Sequence, residues 1–192
     1  MSKKEEIIEK ATELFSKKGF ENVGIQEIVK SCNVTKPTLY HYFGSKNGLI
    51  NEIIQVKFLP FLNKLEKTAD YKHDITNSIN SVVALYFEFA KNQPIIYKLI
   101  LSSNVLPLES EIQKLLAPYI NRQFKILKNM FLQASYDHGN MISRETKYAA
   151  SFFGAINTYL GMYLNNFSEL DTELSNDDIY QLAHQFMHGI FS

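Results

Sequence analysis

Helical spacing of apolar residues is the feature that most constrains this chain. Apolar side chains recur every three to four residues along nearly its whole length, as they do on one face of an α-helix. The alternation of apolar and polar residues that marks half-buried strands is confined to short stretches. Hydrophobic residues make up 45% of the 192 residues, which is enough for a sizeable core. The chain is therefore predicted to be all-α, with about nine helices.

Two short helices joined by a tight turn are predicted between residues 25 and 43. The first ends at Cys32, and Asn33 after it tolerates the left-handed backbone that a tight turn needs. Thr35 is a natural cap for the second helix, whose first turn accommodates Pro37. This arrangement is typical of a helix-turn-helix, in which the second helix enters the DNA major groove by its N-terminal residues. A preceding helix, which begins with a capping box at Ser2, completes a predicted three-helix head.

The polar side of the second helix carries side chains that suit nucleic acid. Its apolar face is predicted to consist of Leu39, Tyr42 and Phe43. Between residues 28 and 50 there are three lysines, one histidine and no acid, although a solvated helix face would look similar. The chain as a whole has a net charge of zero, so its composition alone indicates no anionic partner. The side chains predicted to reach phosphates or base edges are Lys36, Thr38, Tyr40 and His41.

The stretch FENVGIQEIVKSCNVTKPTLYHYFGSKNGL resembles the DNA-binding signature of TetR/AcrR-type transcriptional regulators. The most specific part of the match is the block from Leu39 to Phe43, followed by Ser45, Lys46 and Leu49. The resemblance by motif covers residues 5 to 54. It implies a homodimer whose two heads read the halves of a near-palindromic operator in double-stranded DNA. It also implies repression that ends when a small, largely apolar or aromatic ligand binds the body.

The resemblance also implies which residues touch DNA. Lys46 at a helix start would hold a phosphate, and Tyr40 would contact a phosphate or a thymine methyl group. The chain departs from the usual pattern at Gly24 (commonly a Ser or Thr cap), at Asn33 (commonly Gly) and at Pro37 (commonly a small residue). These departures leave the operator sequence open. The implied DNA-binding residues are Thr35, Lys36, Pro37, Thr38, Tyr40, His41 and Lys46.

Residues 1–48 are accordingly predicted to form the DNA-binding domain, and residues 49–192 a helical ligand-sensing and dimerisation domain. Helical aromatic stripes in the body are usually core, and the resemblance favours a pocket among them. Glu88, Asn121 and Gln123 are polar residues on apolar helices, and each could orient a ligand or lie exposed. The residues predicted to line the pocket are Phe61, Tyr86, Phe89, Tyr97, Tyr119, Phe124, Phe153 and Asn157.

The last two predicted helices have the pattern of a dimer seam. Gly154 and Gly161 would permit close approach of helices, and four helices from two chains would make a self-complementary two-fold interface. The alternative is that these stripes pack wholly inside one chain. The residues predicted for the dimer interface are Phe153, Ile156, Leu160, Tyr163, Leu164, Ile179, Leu182, Phe186, Met187 and Ile190.

A long fourth helix is predicted from Lys46 to Lys67. Pro60 lies inside it, and a proline removes one helical hydrogen bond and crowds the carbonyl four residues earlier. A kink is therefore expected about one turn before Pro60. Pro118 is expected to bend a later helix in the same way.

No enzyme signature is present. The chain has no G-x-S-x-G elbow, no phosphate-binding loop and no cysteine cluster, and we expect neither catalysis nor a cofactor. His184 and His188 have a metal-compatible spacing, but no clear third ligand accompanies them, so no metal is expected. Cys32 is interpreted as a buried hydrophobe. The charged N-terminus and the absence of a long apolar run predict a cytoplasmic protein without a membrane partner. The alternative function is a helical small-molecule carrier or protein-interaction module.

Overall fold

The computed structural model describes residues 2–103, 105–107, 109–166 and 174–189. Every regular element in these ranges is a helix and none is a strand, so the predicted all-α class is confirmed. None of the described helices is both long and apolar enough to cross a lipid bilayer. The helices are α1 (Lys3–Lys18), α2 (Ile25–Cys32), α3 (Lys36–Phe43), α4 (Lys46–Ile53), α5 (Leu59–Thr68), α6 (Ile75–Asn92), α7 (Pro94–Ser103), α8 (Glu111–Ser135), α9 (Glu145–Leu164) and α10 (Asn176–His188).

Side-chain caps fix the ends of the first helices as the sequence predicts. At the start of α1 the Ser2 hydroxyl accepts the Glu5 amide at 3.2 Å, while the Ser2 amide donates to the Glu5 carboxylate at 2.7 Å. This capping box satisfies two amides that have no partner within the helix. The helix ends at Gly19, whose φ of 80° is a conformation that only glycine adopts easily.

The turn between α2 and α3 has the backbone predicted for it. Asn33 lies in the left-handed region with φ 51° and ψ 50°. The Thr35 hydroxyl then accepts the Thr38 amide at 3.3 Å and caps α3. Pro37 stands in the first turn of α3, where its missing amide proton costs no helical hydrogen bond. The two short helices and their tight turn are thus the predicted helix-turn-helix.

The predicted long fourth helix continues through a distortion before Pro60. Regular α-helix from Lys46 to Ile53 passes into a π turn at Ile54–Phe58, and α5 follows at Leu59. The wider π hydrogen-bonding pattern relieves the clash that a proline ring makes with the carbonyl four residues earlier. The distortion lies where the kink was expected and takes the form of a π turn.

The chain forms two compact units. Unit 1 comprises Met1–Pro60 and Ile95–Pro118. Its core includes Phe15 of α1 and Leu49 of α4, both fully buried. Cys32 is also fully buried, which confirms its interpretation as a small core hydrophobe. The functional division into residues 1–48 and 49–192 stays a prediction.

Unit 2 comprises Phe61–Pro94 and Tyr119–Ser192, and its core is strongly aromatic. The Phe131 ring centroid lies 5.7 Å from that of Phe152 and 5.9 Å from that of Phe186. Phe152 and Phe186 are 4.8 Å apart, so the three rings form one cluster. Helix α10 packs mainly on α6, and both also contact α9.

Burial within unit 2 separates the predicted dimer-interface residues into two groups, and the interface itself stays a prediction. Ile156, Leu160 and Leu164 are buried inside the chain, because this side of α9 faces the core. The surface of α9 that remains open to a partner is therefore formed by other residues. Ile190 lies outside the described residues. The predicted interface residues that remain partly exposed are Phe153, Tyr163, Ile179, Leu182, Phe186 and Met187.

Candidate nucleic-acid interface

Helix α3 separates buried from exposed side chains in the way that a DNA-reading helix requires. Leu39 and Phe43 are one helical turn apart and are both buried in the head. The opposite side carries Tyr40, which is 45% exposed, together with exposed Lys36 and His41. The buried pair anchors the helix, so the polar side chains are presented on a fixed backbone.

The first turn of α3 offers hydroxyl groups and one lysine to an anion. The hydroxyls of Thr35 and Thr38 lie 2.9 Å apart, and the Thr38 amide is bonded to Thr35. Pro37 is exposed but has no amide proton to donate. Phosphate binding at this terminus would therefore depend on Lys36 and the two hydroxyls, with fewer backbone amides than most helix N-termini supply.

Tyr42 is more exposed than the sequence suggests. It was predicted to share the inward face with Leu39 and Phe43, but it is 39% exposed and this prediction is wrong. The reason is geometric, because residue 42 is displaced by about 100° around the helix axis from residue 43. Its ring makes an edge contact with His41, with the ring centroids 5.6 Å apart. Tyr42 therefore adds an aromatic side chain to the exposed surface of α3.

The side chain of Lys46 packs against the ring of Phe20 within the head. Its Nζ lies 4.2 Å from the centroid of the Phe20 ring, which is a cation–π distance. Partial burial lowers the pKa of Lys46, and the nearby carboxylates of Glu21 and Glu111 oppose that shift. The Glu21 carboxylate also accepts the Glu111 amide at 3.1 Å. Contact with a phosphate would require this lysine to exchange the Phe20 ring for DNA.

Most lysines of α1 are occupied by contacts within unit 1. Lys4 pairs with Glu52 at 2.7 Å, and the Lys10 ammonium donates to the Ser31 carbonyl at 2.9 Å. Lys18 pairs with Glu27 in the same way. By contrast, Lys36 makes no ion pair with any residue in the described ranges. Lys30 at the end of α2 is likewise exposed and without an ion pair in the described ranges, so the positive charge available to a partner includes both lysines.

Three of the predicted pocket aromatics meet in unit 2. The Phe61 ring is stacked on Phe89 at 4.3 Å and makes an edge contact with Tyr86 at 5.1 Å. The Gln123 amide donates to the Tyr86 hydroxyl at 2.8 Å, so this glutamine faces the interior. Glu88, in contrast, is exposed and pairs with Lys64 at 2.6 Å.

The other predicted pocket residues are more dispersed. Phe124 and Phe153 make a separate edge contact at 6.3 Å. The Asn157 side chain donates to the Phe153 carbonyl at 2.8 Å within α9. Tyr119 is partly buried, while Tyr97 is buried in unit 1. The pocket as predicted stays a prediction.

The histidine pair of α10 does not gather further ligands. The rings of His184 and His188 lie 4.4 Å apart. Within the described residues there is no group of three histidine, cysteine or acidic side chains that could hold a metal ion.

Comparison with known proteins finds a family model that matches the head and solved structures that share the fold. The family model described as "Bacterial regulatory proteins, tetR family" matches residues 7–53. A Bacillus subtilis (strain 168) protein described as an uncharacterized HTH-type transcriptional regulator, YerO, is 26% identical over 198 residues. That alignment covers 98% of this chain and 65% of YerO. The HTH-type transcriptional regulator UidR of Escherichia coli (strain K12) is 34% identical over 82 residues, which is 43% of this chain and 42% of UidR.

The fold is also shared with a solved regulator. The structure of Bacillus subtilis FadR, a transcriptional regulator in complex with stearoyl-CoA, has a TM-score of 0.74. The two chains are 17% identical, and the match covers 97% of this chain and 98% of FadR. The curated matches each span less than two thirds of the relative's own length. The head of the chain, residues 7–53, thus matches the TetR family model of bacterial regulatory proteins, and the all-helical chain shares its fold with FadR.

Proposed function

We propose that this chain is a transcriptional repressor. It binds a near-palindromic operator in double-stranded DNA as a homodimer, and a small, largely apolar ligand releases it. Residues 1–48 bind the DNA, and residues 49–192 carry the ligand site and the dimer interface. The protein is a cytoplasmic regulator and not an enzyme.

The observation that carries this proposal is the surface of α3. Tyr40, His41 and Lys36 are exposed on a short helix whose opposite side is anchored by buried Leu39. Side chains at the start of the second helix of a helix-turn-helix reach base edges in the major groove. An aromatic ring and a hydroxyl can contact a thymine methyl group and a phosphate, and a lysine can neutralise a phosphate.

The ligand part of the proposal rests on unit 2. Its interior is rich in aromatic side chains, such as the stacked Phe61 and Phe89, and apolar walls with a few polar groups are typical of small-molecule sites. FadR, which shares the fold, was solved with stearoyl-CoA, a ligand that carries a long apolar chain. Release follows if the ligand binds the state with low DNA affinity more tightly than the competent state.

Selection of bound fragments from random and genomic DNA tests the proposal. The wild-type protein should enrich a short near-palindrome, and Tyr40→Ala should lose that enrichment. Tyr136→Ala is the matched control, because Tyr136 is 75% exposed and lies outside the head. Failure of a folded, dimeric wild-type protein to enrich any sequence would refute the repressor and favour a carrier or protein-interaction module.

A further inference from the structure

A buried polar pair interrupts the apolar interior of unit 2. Tyr86 of α6 is fully buried, and Gln123 of α8 is 2% exposed. The Gln123 Nε2 donates to the Tyr86 hydroxyl at 2.8 Å. Its Oε1 is also buried and has no hydrogen-bond partner among the residues that the structure describes, which is rare for a buried side-chain oxygen. The pair therefore has hydrogen-bonding capacity that unit 2 does not use.

Reversing the Gln123 amide does not remove the deficit. With the amide turned over, the Tyr86 hydroxyl would donate to Oε1, and the buried NH₂ group would occupy the side that lacks a partner. As the pair stands, Tyr86 accepts the amide proton and keeps its own proton for another acceptor. In either arrangement the two side chains offer a donor or an acceptor, or both, to a further group.

The residues around Tyr86 and Gln123 indicate what kind of molecule could carry a group that bonds to this pair. Phe61 contacts Tyr86 edge-on at 5.1 Å and is stacked on Phe89. Both phenylalanines are buried, so the walls beside the tyrosine are apolar and aromatic. The Tyr86 hydroxyl is poorly solvated because the residue is fully buried, and this burial raises its pKa well above its usual range. An ionised group would lose its hydration there without gaining a partner of opposite charge.

We propose that Tyr86 and Gln123 bind the uncharged polar group of the regulator's ligand. That group both donates and accepts hydrogen bonds, as a hydroxyl does, and belongs to a molecule that is otherwise apolar or aromatic. The inference rests on the proposed ligand-responsive function and adds the chemical class of the ligand. The group would donate to the open Gln123 Oε1 and accept from the Tyr86 hydroxyl.

Three probes of similar shape test this inference on the full-length protein by calorimetric titration. p-Cresol carries a hydroxyl, toluene carries none, and 4-methylbenzoate carries a charge. The wild-type protein should bind p-cresol about five- to tenfold more tightly than toluene, and more tightly than 4-methylbenzoate. Gln123→Leu should abolish the preference for p-cresol over toluene. Equal binding of p-cresol and toluene, binding of none of the probes, or a preference that survives Gln123→Leu would overturn the inference.

Thermal unfolding provides a second readout that needs no ligand. The double variant Tyr86→Phe with Gln123→Leu removes the oxygen without a partner and leaves no buried hydroxyl unpaired, so the melting temperature of the ligand-free protein should rise by about 2–4 °C. Gln133→Leu is the matched control, because Gln133 is exposed on the same helix and should leave the melting temperature nearly unchanged. A fall in the melting temperature of this double variant would mean that the pair is a structural hydrogen bond, and would count against the inference. Tyr86→Phe retains the ring and, if Gln123→Leu does not fold, tests the same hydroxyl preference.

DNA binding by the wild-type protein tests the repressor function separately from the chemical class of the ligand. Operator binding together with equal affinity for p-cresol and toluene would refute the ligand class and leave the repressor standing. A clear hydroxyl preference in a protein that enriches no DNA sequence would refute the repressor and leave the Tyr86–Gln123 site standing.

Discussion

Lys46 and Phe20 are held together in the free head, with the lysine Nζ 4.2 Å from the centroid of the ring. The two residues stand on opposite sides of the helix-turn-helix in sequence, and their contact keeps the ammonium close to the protein surface. The same lysine is expected to bind a phosphate. DNA binding would therefore compete with the contact between Lys46 and Phe20.

Lys46→Ala should weaken binding to all DNA sequences alike. The lost phosphate contact should also flatten the plot of log affinity against log salt concentration by about one unit, because one fewer counterion is released. Fluorescence anisotropy across a salt series measures both quantities. Lys91→Ala is the control, since Lys91 is exposed outside the head and should leave the slope unchanged. An unchanged slope in Lys46→Ala would show that the lysine stays on Phe20 in the complex.

Gly48→Ala should destabilise the protein, although alanine normally favours a helix over glycine. A Cβ at position 48 would stand 1.9 Å from the Phe43 carbonyl oxygen, where no atom fits. The backbone at the end of α3 would have to move, at a cost of about 1–3 kcal/mol in the free energy of unfolding. Urea denaturation measures the change. Gly139→Ala, where an added Cβ meets nothing within 4 Å, should stay within about 0.5 kcal/mol of wild type.

Gly154→Leu should dissociate the proposed dimer without unfolding the chain. An added Cβ at Gly154 meets nothing within 4 Å of the chain itself, so a loss of assembly would come from the partner subunit. Analytical ultracentrifugation should show a shift from dimer to monomer, with unchanged helical content by circular dichroism. Asn129→Leu, an exposed change on α8, is the control. A Gly154→Leu protein that remains dimeric would place the interface elsewhere.

Asp137 should titrate below the ordinary aspartate value of 3.8. His73 Nδ1 lies 2.7 Å from its carboxylate, and the Tyr71 hydroxyl donates to it at 2.9 Å; both contacts lower the pKa of Asp137. The pKa of Asp137 is lower in the folded protein than in the unfolded chain. At pH values above the unfolded-state pKa, the ionised carboxylate therefore stabilises the fold. That contribution is lost as the pH falls through the folded pKa.

A carboxyl-carbon NMR titration should give this depressed midpoint in the wild-type protein. The midpoint should move upward in His73→Ala, and by a smaller amount in Tyr71→Phe, because the histidine contact is the larger cause. A midpoint that does not move in His73→Ala would show that the two side chains are not paired in solution.

Local features of this fold could be predicted from the sequence, and features that depend on distant residues could not. The helix ends at Gly19 and Asn33 follow from the backbone conformations that those residues tolerate. A short stretch of local sequence is therefore enough to predict them. The contact between Lys46 and Phe20 joins residues 26 positions apart, and only the folded head brings them together. Nothing in the sequence distinguishes a buried Gln123 from an exposed one.

The same limit applies to the apolar stripe of α9. A stripe that packs inside its own chain and one that packs on a partner have the same spacing, so Ile156 and Leu160 looked suitable for a dimer seam. Both residues are buried inside unit 2, and the dimer interface stays a prediction. The half-exposed residues of α9 and α10 could pack within one chain or on a partner subunit, and the Gly154→Leu experiment distinguishes these two arrangements.

The complete burial of Cys32, the chain's single cysteine, makes the protein convenient for spectroscopy. Thiol reagents need an accessible thiolate, so the folded wild-type protein should take up no label. A cysteine introduced at exposed Gln26 would then be the only reactive thiol, without any need to replace Cys32. Two nitroxide labels, one on each head of the proposed dimer, would report the distance between the heads with DNA bound, with ligand bound and with neither.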